Sequence, residues 1–275
     1  MKRVETVWKE YIWGRENWVF SRPPLFIKLI YAREALSVQV HPDDAYAWQQ
    51  GYSSGKTEMW YVLDHEPGAF LYYGLKHTVS EKEFRKRIQN GTLLEICRKV
   101  PVKKGDVFFI PSGMLHAIGA GICVAEVQQC SNITYRVYDY DREDRNHQKR
   151  QLHVEQAADV LGFTPALRGR SPLGQRVWGN GYSGILLEAC EYFSVWSYEV
   201  EGKAVLDFEE LSRERACQGI RYSGERFFSL VVLRGQGKLF GKGEEELWPG
   251  DSFSVSVHCR KVEVEGELEL LLSCP

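Results

Sequence analysis

One stretch decides the fold, and it reads Gly105-Asp106-Val107-Phe108-Phe109-Ile110-Pro111-Ser112-Gly113-Met114-Leu115-His116. Gly105 and Asp106 favour a turn, and the apolar run behind them is typical of a buried strand. Pro111 and Gly113, one residue apart, then favour a bend that returns the chain toward the sheet. The stretch therefore predicts a strand, a tight turn and a histidine, His116, that projects into a barrel.

Two further segments carry side chains that suit a metal ion. Gln39 and His41 stand two positions apart in an apolar, strand-like run, so both side chains face the same side of a sheet. Glu58 opens a second strand and can turn its carboxylate inward. Two imidazoles, a carboxylate and an amide oxygen suit a borderline divalent ion, and zinc is the first choice. We therefore predict one Zn²⁺ per chain, held by Gln39, His41, Glu58 and His116.

The stretch 105–116 resembles the second cupin motif, Gly-x5-Pro-x-Gly-x2-His, at every fixed position. The resemblance implies a mainly β fold of the cupin type, a double-stranded β-helix or jelly roll with short helices. Asp43 is a candidate cap for a short helix that runs through Gln50. Ser80 and Glu83 have capping-box spacing at the start of a second helix, which Gly91 ends.

A second lobe is predicted beyond a cluster of Pro and Gly residues between 163 and 175. We expect a metal-binding catalytic cupin domain over residues 1–165. Residues 166–275 are expected to form a smaller β-sandwich or degenerate cupin-like lobe, because only strand patterns follow the junction. Gly250-Asp251 echoes Gly105-Asp106, but Lys261 stands where His116 stands in the first motif, so no metal is expected there.

Composition narrows the class of protein. Hydrophobic residues make up 44% and charged residues 26% of the 275 residues, as in a soluble globular protein, and the formal net charge is −2. That charge argues against a nucleic-acid partner, and no apolar run is long enough for a membrane span. The seven cysteines lack Cys-x-x-Cys spacing, which indicates reduced thiols and a cytoplasmic location. We expect a monomer or a weak homo-oligomer.

Four ordered segments resemble the short bacterial type I phosphomannose isomerases: 36–44, 56–62, 105–116 and 131–139. The likeness is dense over roughly residues 24–145 and general beyond it. It implies a two-lobed cupin with zinc at Gln39, His41, Glu58 and His116. It also implies an active-site arginine at Arg136 and a lysine, Lys56, that faces the substrate.

The implied reaction interconverts mannose 6-phosphate and fructose 6-phosphate. A proton moves between C1 and C2 of the open-chain sugar through an enediolate, and a metal ion offsets the charge on the two oxygens. The planar guanidinium of Arg136 suits either the enediolate or the phosphate, and Lys56 offers a mobile point charge.

The sequence departs from this family at two places. Relatives usually carry Asp where Asn132 stands, and longer members carry His at the place of Gly55. An amide cannot move a proton as a carboxylate does. The general base is therefore unassigned, with Glu126, Asp139 and metal-bound hydroxide as candidates.

Two other functions stay open at this point. Two His and one carboxylate also form the iron site of non-haem oxygenases, although Gln39, Lys56 and Arg136 speak against it. Asn132 suggests a non-catalytic sugar-phosphate-binding paralogue. Oxygen uptake and a coupled isomerase assay separate these alternatives.

Overall fold

The structure is a computed structural model that describes residues 1–144, 146–165, 169–219, 227–241, 243–256 and 258–275. Strands hold 50% of the residues and helices 13%, so the prediction of a mainly β fold is confirmed. Among the helices described, none combines the length and the apolar character that crossing a bilayer requires.

The described strands, in chain order, are β1 (Lys2–Val4), β2 (Val7–Tyr11), β3 (Gly14–Arg22), β4 (Leu25–Ala32), β5 (Val38–Val40), β6 (Glu58–His65), β7 (Phe70–Leu75), β8 (Cys97–Pro101), β9 (Val107–Ile110), β10 (His116–Ile118), β11 (Ile122–Gln129), β12 (Tyr135–Tyr138), β13 (Val177–Gly179), β14 (Tyr182–Ala189), β15 (Ser194–Asp207), β16 (Phe227–Phe240), β17 (Glu244–Leu247), β18 (Ser252–Ser256) and β19 (Lys261–Cys274). The described α-helices are α1 (Asp44–Gln49), α2 (Glu81–Gln89), α3 (Val154–Val160) and α4 (Phe208–Cys217), and a 3₁₀ turn spans Leu93–Glu95.

The chain forms two compact units. The central unit comprises Lys9–Glu16 and Ile30–Arg170, and the C-terminal unit comprises Met1–Trp8, Asn17–Leu29 and Ser171–Pro275. The predicted junction at 165/166 adjoins residues 166–168, which lie outside the described residues. The division into domains 1–165 and 166–275 stays a prediction.

The C-terminal unit is built on one eight-stranded sheet. Its order is β1-β18-β16-β19-β15-β14-β13, with β17 paired to β16. Strands β15, β16 and β19 are each 14 residues long and pair with antiparallel register. Alternate residues of these strands bury a large apolar cluster that includes Trp196, Phe228 and Leu272. These apolar residues recur at every second position of the strands, so they all lie on one face of the sheet, and that face is buried.

Two sheets supply the strands of the central unit. A five-stranded sheet has the order β12-β5-β10-β7-β8, and a six-stranded sheet has the order β2-β3-β4-β11-β6-β9. Leu71 and Tyr73 from the first sheet share one buried cluster with Trp60, Val62 and Phe108 from the second. The metal-ligand candidates lie on these same strands or directly beside them.

Both predicted helix starts are confirmed. The Asp43 carboxylate accepts a hydrogen bond from the Tyr46 backbone N–H at 2.8 Å, and the Ser80 hydroxyl accepts one from the Glu83 N–H at 3.1 Å. These bonds satisfy N–H groups that a helix leaves without intrahelical partners. The second helix is followed by Gly91, whose φ of 68° is the left-handed conformation that glycine favours after a helix.

The bend between β9 and β10 forms as the sequence predicts. Gly113 has φ of 81°, and a Cβ atom there would lie 3.0 Å from the Val160 carbonyl oxygen. The Gly113 N–H donates to the His41 carbonyl at 2.8 Å, which ties the bend to the chain that follows β5. Strand β10 then begins at His116 itself, so the turn directly positions this histidine.

Candidate metal centre and active site

One row of side chains crosses the five-stranded sheet. In register, Gln39 on β5 lies between Arg136 on β12 and His116 on β10, and His116 in turn pairs with Tyr73 on β7. Directly paired residues on neighbouring strands project to the same face, so the row places these side chains together. Three of the sequence-predicted site residues therefore become neighbours through strand register alone.

Three of the predicted ligands, two imidazoles and one carboxylate, converge at the buried side of this row. Ligand atoms of His41, Glu58 and His116 lie within 4.8 Å of one another. Glu58 Oε1 is 3.3 Å from His116 Nε2, and Glu58 Oε2 is 3.7 Å from His41 Nε2. All three side chains are buried, with at most 1% of their surface exposed. Residues 41, 58 and 116 thus form one water-poor cluster from three distant parts of the chain.

Backbone carbonyls orient both imidazoles. His41 Nδ1 donates to the Ile133 carbonyl at 2.9 Å, and His116 Nδ1 donates to the Met114 carbonyl at 2.8 Å. A proton held on Nδ1 leaves the Nε2 lone pair directed at the cluster, which is the arrangement of histidines that bind metals. The donor set therefore fits a divalent cation.

Burial also keeps the His116 ring uncharged at neutral pH. The pKa of His116 is lowered to about 4, chiefly by desolvation and also by the positive charge of Lys56, against the opposing effects of the Met114 hydrogen bond and the Glu126 charge. A neutral imidazole is the form that coordinates a metal, so His116 needs no deprotonation to act as a ligand.

Gln39 reaches the same cluster. Its amide Nε2 lies 3.4 Å from His116 Nε2. Rotation of the amide by a half turn exchanges its nitrogen and oxygen. The Gln39 oxygen can therefore take a place beside the two imidazoles and the carboxylate.

Lys56 lies beside the metal-ligand candidates. Its Nζ atom is 2.7 Å from Glu58 Oε2 and 3.8 Å from Glu126 Oε1, and only 4% of the residue is exposed. Two carboxylates thus compensate a buried ammonium. Lys56 is in position to exchange a proton with a group that enters this cluster.

Glu126 and its indole partner form a part of the site for which the sequence offers little signal. Trp60 Nε1 donates to Glu126 Oε2 at 2.9 Å, and both residues are buried. Trp60 lies two positions after Glu58 on β6 and pairs with Glu126 across β11, so the alternation of the strand could have placed all three on one face. Glu126 is one of the candidate bases in the sequence, whereas Trp60 is not among the predicted site residues.

Tyr11, which no sequence motif marks, lies close enough to Glu16 and Glu126 to be affected by both charges. Burial raises the pKa of Tyr11 to about 12, together with the negative charge of Glu16, a hydrogen bond to Glu16 and the charge of Glu126. No motif marks the stretch from 11 to 16, because its residues become relevant only through long-range contacts.

Arg136 is half-buried and held by neutral groups. Its Nη1 donates to the Gln151 carbonyl at 2.9 Å, and its Nε donates to the Ser37 hydroxyl at 3.3 Å. Desolvation lowers the pKa of Arg136, and the charges of Arg150 and Arg142 act in the same direction against Asp139. A guanidinium stays protonated in proteins, so Arg136 is a fixed positive charge in the row of Gln39.

Asp139 is engaged by two arginines. Arg150 donates to both of its oxygens, at 2.7 and 2.5 Å, and Arg142 donates at 2.7 Å. Burial alone would raise the pKa of Asp139, but these bonds and charges outweigh it and lower the pKa. A carboxylate stabilised in its charged form accepts a proton poorly, so Asp139 is a weak candidate for the general base.

The two departures from the family pattern have different surroundings. Asn132 is exposed. A Cβ atom on Gly55 would lie 2.4 Å from the Asp43 carbonyl carbon and 2.6 Å from the Pro42 oxygen, so the backbone leaves no room for a side chain. The Lys56 N–H donates to that same Pro42 oxygen at 3.0 Å. Gly55 therefore brings the lysine-bearing segment against the chain that carries His41.

Known proteins similar to this chain share one description. The chain is 36% identical over 279 residues to the "Probable mannose-6-phosphate isomerase GmuF" of Bacillus subtilis (strain 168), covering all of this chain and 82% of that protein. It is 35% identical over 253 residues to the "Mannose-6-phosphate isomerase" of Streptococcus mutans serotype c, covering 91% of this chain and 73% of that protein. The crystal structure of the mannose 6-phosphate isomerase from Bacillus subtilis superposes with a TM-score of 0.86 at 28% identity, over 99% of this chain and 98% of that one. No family model matches the chain.

Proposed function

The chain belongs to the mannose-6-phosphate isomerase family, and we propose that it interconverts mannose 6-phosphate and fructose 6-phosphate at the cluster of His41, Glu58 and His116. The single observation that carries this proposal is the convergence of these three buried ligand groups within 4.8 Å beside Lys56. The names of the similar proteins support the choice of sugar, and the convergence of the three ligand groups supports the choice of site. The two alternatives, an oxygenase and a non-catalytic paralogue, are not favoured.

The metal would be held by His41, Glu58, His116 and the Gln39 oxygen. Zinc suits two imidazoles and a carboxylate with a weak amide ligand, because a weak ligand leaves a position that water or substrate can share. When bound, a divalent ion supplies Lewis-acid stabilisation to the sugar oxygens at C1 and C2. Zinc is the proposed ion among the divalent metals that such a set accepts.

Proton transfer is assigned to the side chains next to the cluster. Isomerisation removes a proton from C2 of mannose 6-phosphate and returns one to C1, so a group must hold the proton between the two steps. Glu126 fits this role better than Asp139, since two arginines hold the Asp139 carboxylate. Lys56, between Glu58 and Glu126, donates a proton to the sugar oxygen at C1 and regains one from the hydroxyl at C2 as the C2 carbonyl forms.

Arg136 orients the substrate. It stands next to Gln39 in the strand register, and its flat guanidinium fits two oxygens of a phosphate or of the enediolate. Ser37 and the Gln151 carbonyl hold the guanidinium in place, so its orientation is set before substrate arrives. A preset charge lowers the barrier more than one that must reorganise.

The deciding experiment is a coupled assay on protein loaded with a defined metal. Fructose 6-phosphate formed from mannose 6-phosphate is measured with zinc, with manganese and without metal. Turnover that requires metal supports the proposal. If the protein binds mannose 6-phosphate but shows no turnover above background with any metal, the result would instead support a non-catalytic sugar-phosphate-binding protein.

Further details of the proposal concern the protein in the cell. We place it in the cytoplasm as a monomer or weak homo-oligomer with a sugar phosphate as its partner. Among the described residues, Cys97, Cys190 and Cys259 are free thiols, which fits a reducing compartment.

A further inference from the structure

A charged side chain lies inside the C-terminal unit, where the sequence predicts no metal site. Arg215 is in the last turn of α4, and 8% of it is exposed. Its Nη1 donates to the Cys274 sulfur at 3.4 Å. Its Nε and Nη2 atoms are buried and have no hydrogen-bond partner among the residues that the structure describes.

The two open nitrogens share one edge of the guanidinium. Nε–H and one Nη2–H point in parallel, which is the fork that receives a carboxylate or a phosphate side-on through two N–H···O bonds. Cys274 takes the third nitrogen and leaves this edge open. The open Nε–Nη2 edge of Arg215 therefore has the geometry to bind an oxyanion.

A second buried polar group stands on the same face of the sheet. Ser194 on β15 pairs in register with Cys274 on β19, so both side chains project to one side. Ser194 is fully buried, and its hydroxyl has no hydrogen-bond partner within the described part of the chain. Within the described residues, the Ser194 hydroxyl and two nitrogens of Arg215 are thus without hydrogen-bond partners near the Cys274 strand position.

The carboxylate next along the helix is already engaged. Glu214 Oε2 accepts a hydrogen bond from Trp196 Nε1 at 2.8 Å. Trp196 lies two residues after Ser194 on β15, within the apolar cluster of the unit. The contact that the structure describes for the Arg215 guanidinium is thus the Cys274 sulfur, which carries no formal negative charge as a thiol.

A buried cation in such surroundings is unfavourable unless an anion compensates it. A lysine or histidine could lose its proton there, but a guanidinium cannot. We propose that the C-terminal unit binds a small oxyanion, a carboxylate or a phosphate, at the Nε–Nη2 edge of Arg215 with the Ser194 hydroxyl as a further donor. The residues of this site all belong to the C-terminal unit, so the proposal does not depend on the isomerase activity.

Thermal unfolding of the full-length protein tests the proposal. Wild type and Arg215→Met are compared in sodium chloride buffer with sodium phosphate or sodium acetate added at constant ionic strength. A ligand that binds the folded state raises Tm. We expect Arg215→Met to have a higher Tm than wild type in chloride and to lose at least half of the rise that one of the two oxyanions produces. The more effective anion identifies the ligand class.

The matched control is Arg213→Met on the same helix, whose side chain is 75% exposed. It should keep the wild-type rise in Tm. Equal rises in wild type and Arg215→Met, or no rise in wild type with either anion, would overturn the proposal. Phosphate bound at the proposed active site raises Tm in both proteins alike, so the difference between them reports Arg215 alone.

Two further measurements test the proposal even if Arg215→Met does not fold. Arg215→Lys keeps the charge but lacks the fork, and we expect its affinity for the effective anion to fall at least tenfold. Wild-type crystals soaked in sodium selenate should show an anomalous peak within hydrogen-bond distance of Nε and Nη2. Absence of the peak contradicts the proposal, and a peak without any rise in Tm indicates an adventitious ion only.

Discussion

Glu58 lies between a proposed metal ligand, His116, and the proposed proton donor, Lys56. One of its oxygens lies 3.3 Å from His116 Nε2, and the other lies 2.7 Å from Lys56 Nζ. A single buried carboxylate therefore contacts both a metal-ligand imidazole and the proposed proton donor. Its removal is expected to affect metal retention and proton transfer together.

Replacing a ligand should abolish both metal and activity. Glu58→Ala and His116→Ala are each expected to lose bound metal and at least about 100-fold in kcat/KM, since even changes next to metal ligands commonly cost 10–100-fold. Metal content after dialysis and the coupled assay measure the two effects. His77→Ala, at an exposed histidine, is the control and should match wild type. Wild-type zinc and rate in either ligand variant would show that the site is misplaced.

Replacing Arg136 should lower turnover without loss of the bound metal. Arg136→Ala is expected to keep its metal, because the guanidinium is bonded to Ser37 and a backbone carbonyl and not to the ligands. Its kcat/KM should fall by about 100-fold or more, since a charge-assisted contact to the reacting sugar is lost. Arg33→Ala, at an exposed arginine, serves as the control. An unchanged kcat/KM would remove Arg136 from the mechanism.

Gly55 should tolerate no side chain. In Gly55→Ala the new methyl group meets the backbone of residues 42 and 43 at 2.4–2.7 Å, so the two segments must move apart. We expect a loss of about 1–3 kcal/mol in the free energy of unfolding, as for other overpacked sites, with a lower affinity for metal. Urea unfolding measures the first effect. Gly169→Ala is the matched control because no atom of the described residues lies within 4 Å of its Cβ position, and equal stability of the two variants would contradict the close contact.

At the scale of elements, strand register brings distant residues to one place. The neighbouring strands β12, β5 and β10 place Arg136, Gln39 and His116 side by side. A shift of one residue in any of them would turn its side chain to the opposite face. The short strand β5, with three residues, is kept in register by pairing on both edges and by the bond from the Gly113 N–H to the His41 carbonyl.

Helix α2 offers a test of local stability away from the site. Ser80→Ala removes the hydroxyl that accepts from the Glu83 N–H, and we expect a loss of about 1 kcal/mol in the free energy of unfolding. The kcat/KM should stay at the wild-type value. Ser80→Asp keeps a capping oxygen and should remain within a few tenths of a kcal/mol of wild type. If the alanine variant unfolds at the same urea concentration as wild type, the cap is not a stabilising contact.

For the whole molecule, metal binding and folding should be coupled. The proposed ligands His41, Glu58 and His116 come from three distant segments, so one bound ion would link parts of the chain that are separate when it is unfolded. Removal of metal with a chelator is expected to lower Tm, and addition of zinc should restore it. At a metal concentration about 1,000 times Kd the stabilisation amounts to about 4 kcal/mol. Glu58→Ala should show no such dependence, and a Tm independent of metal in wild type would argue against a bound ion at this cluster.

The family of the chain follows from local patterns. Turn-forming residues at fixed spacing, an apolar strand between them and alternation along β5 are properties of short segments, which is why Gly105–His116 alone indicates the fold. The helix starts at Asp43 and Ser80 are local for the same reason, because a cap involves residues three apart. The metal roles of the four predicted ligands stay a proposal, although the structure brings His41, Glu58 and His116 together.

By itself, then, the sequence determined the mainly β fold, the family and the residue types that suit a metal ion, since these depend on spacing along the chain. Only the tertiary structure decided which carboxylate is held by Arg142 and Arg150, which carboxylate lies beside Lys56, and why residue 55 is glycine. It also decided that Arg215 is buried with an open edge. These are distances between segments far apart in the chain, and they exist only after folding has brought the segments into contact.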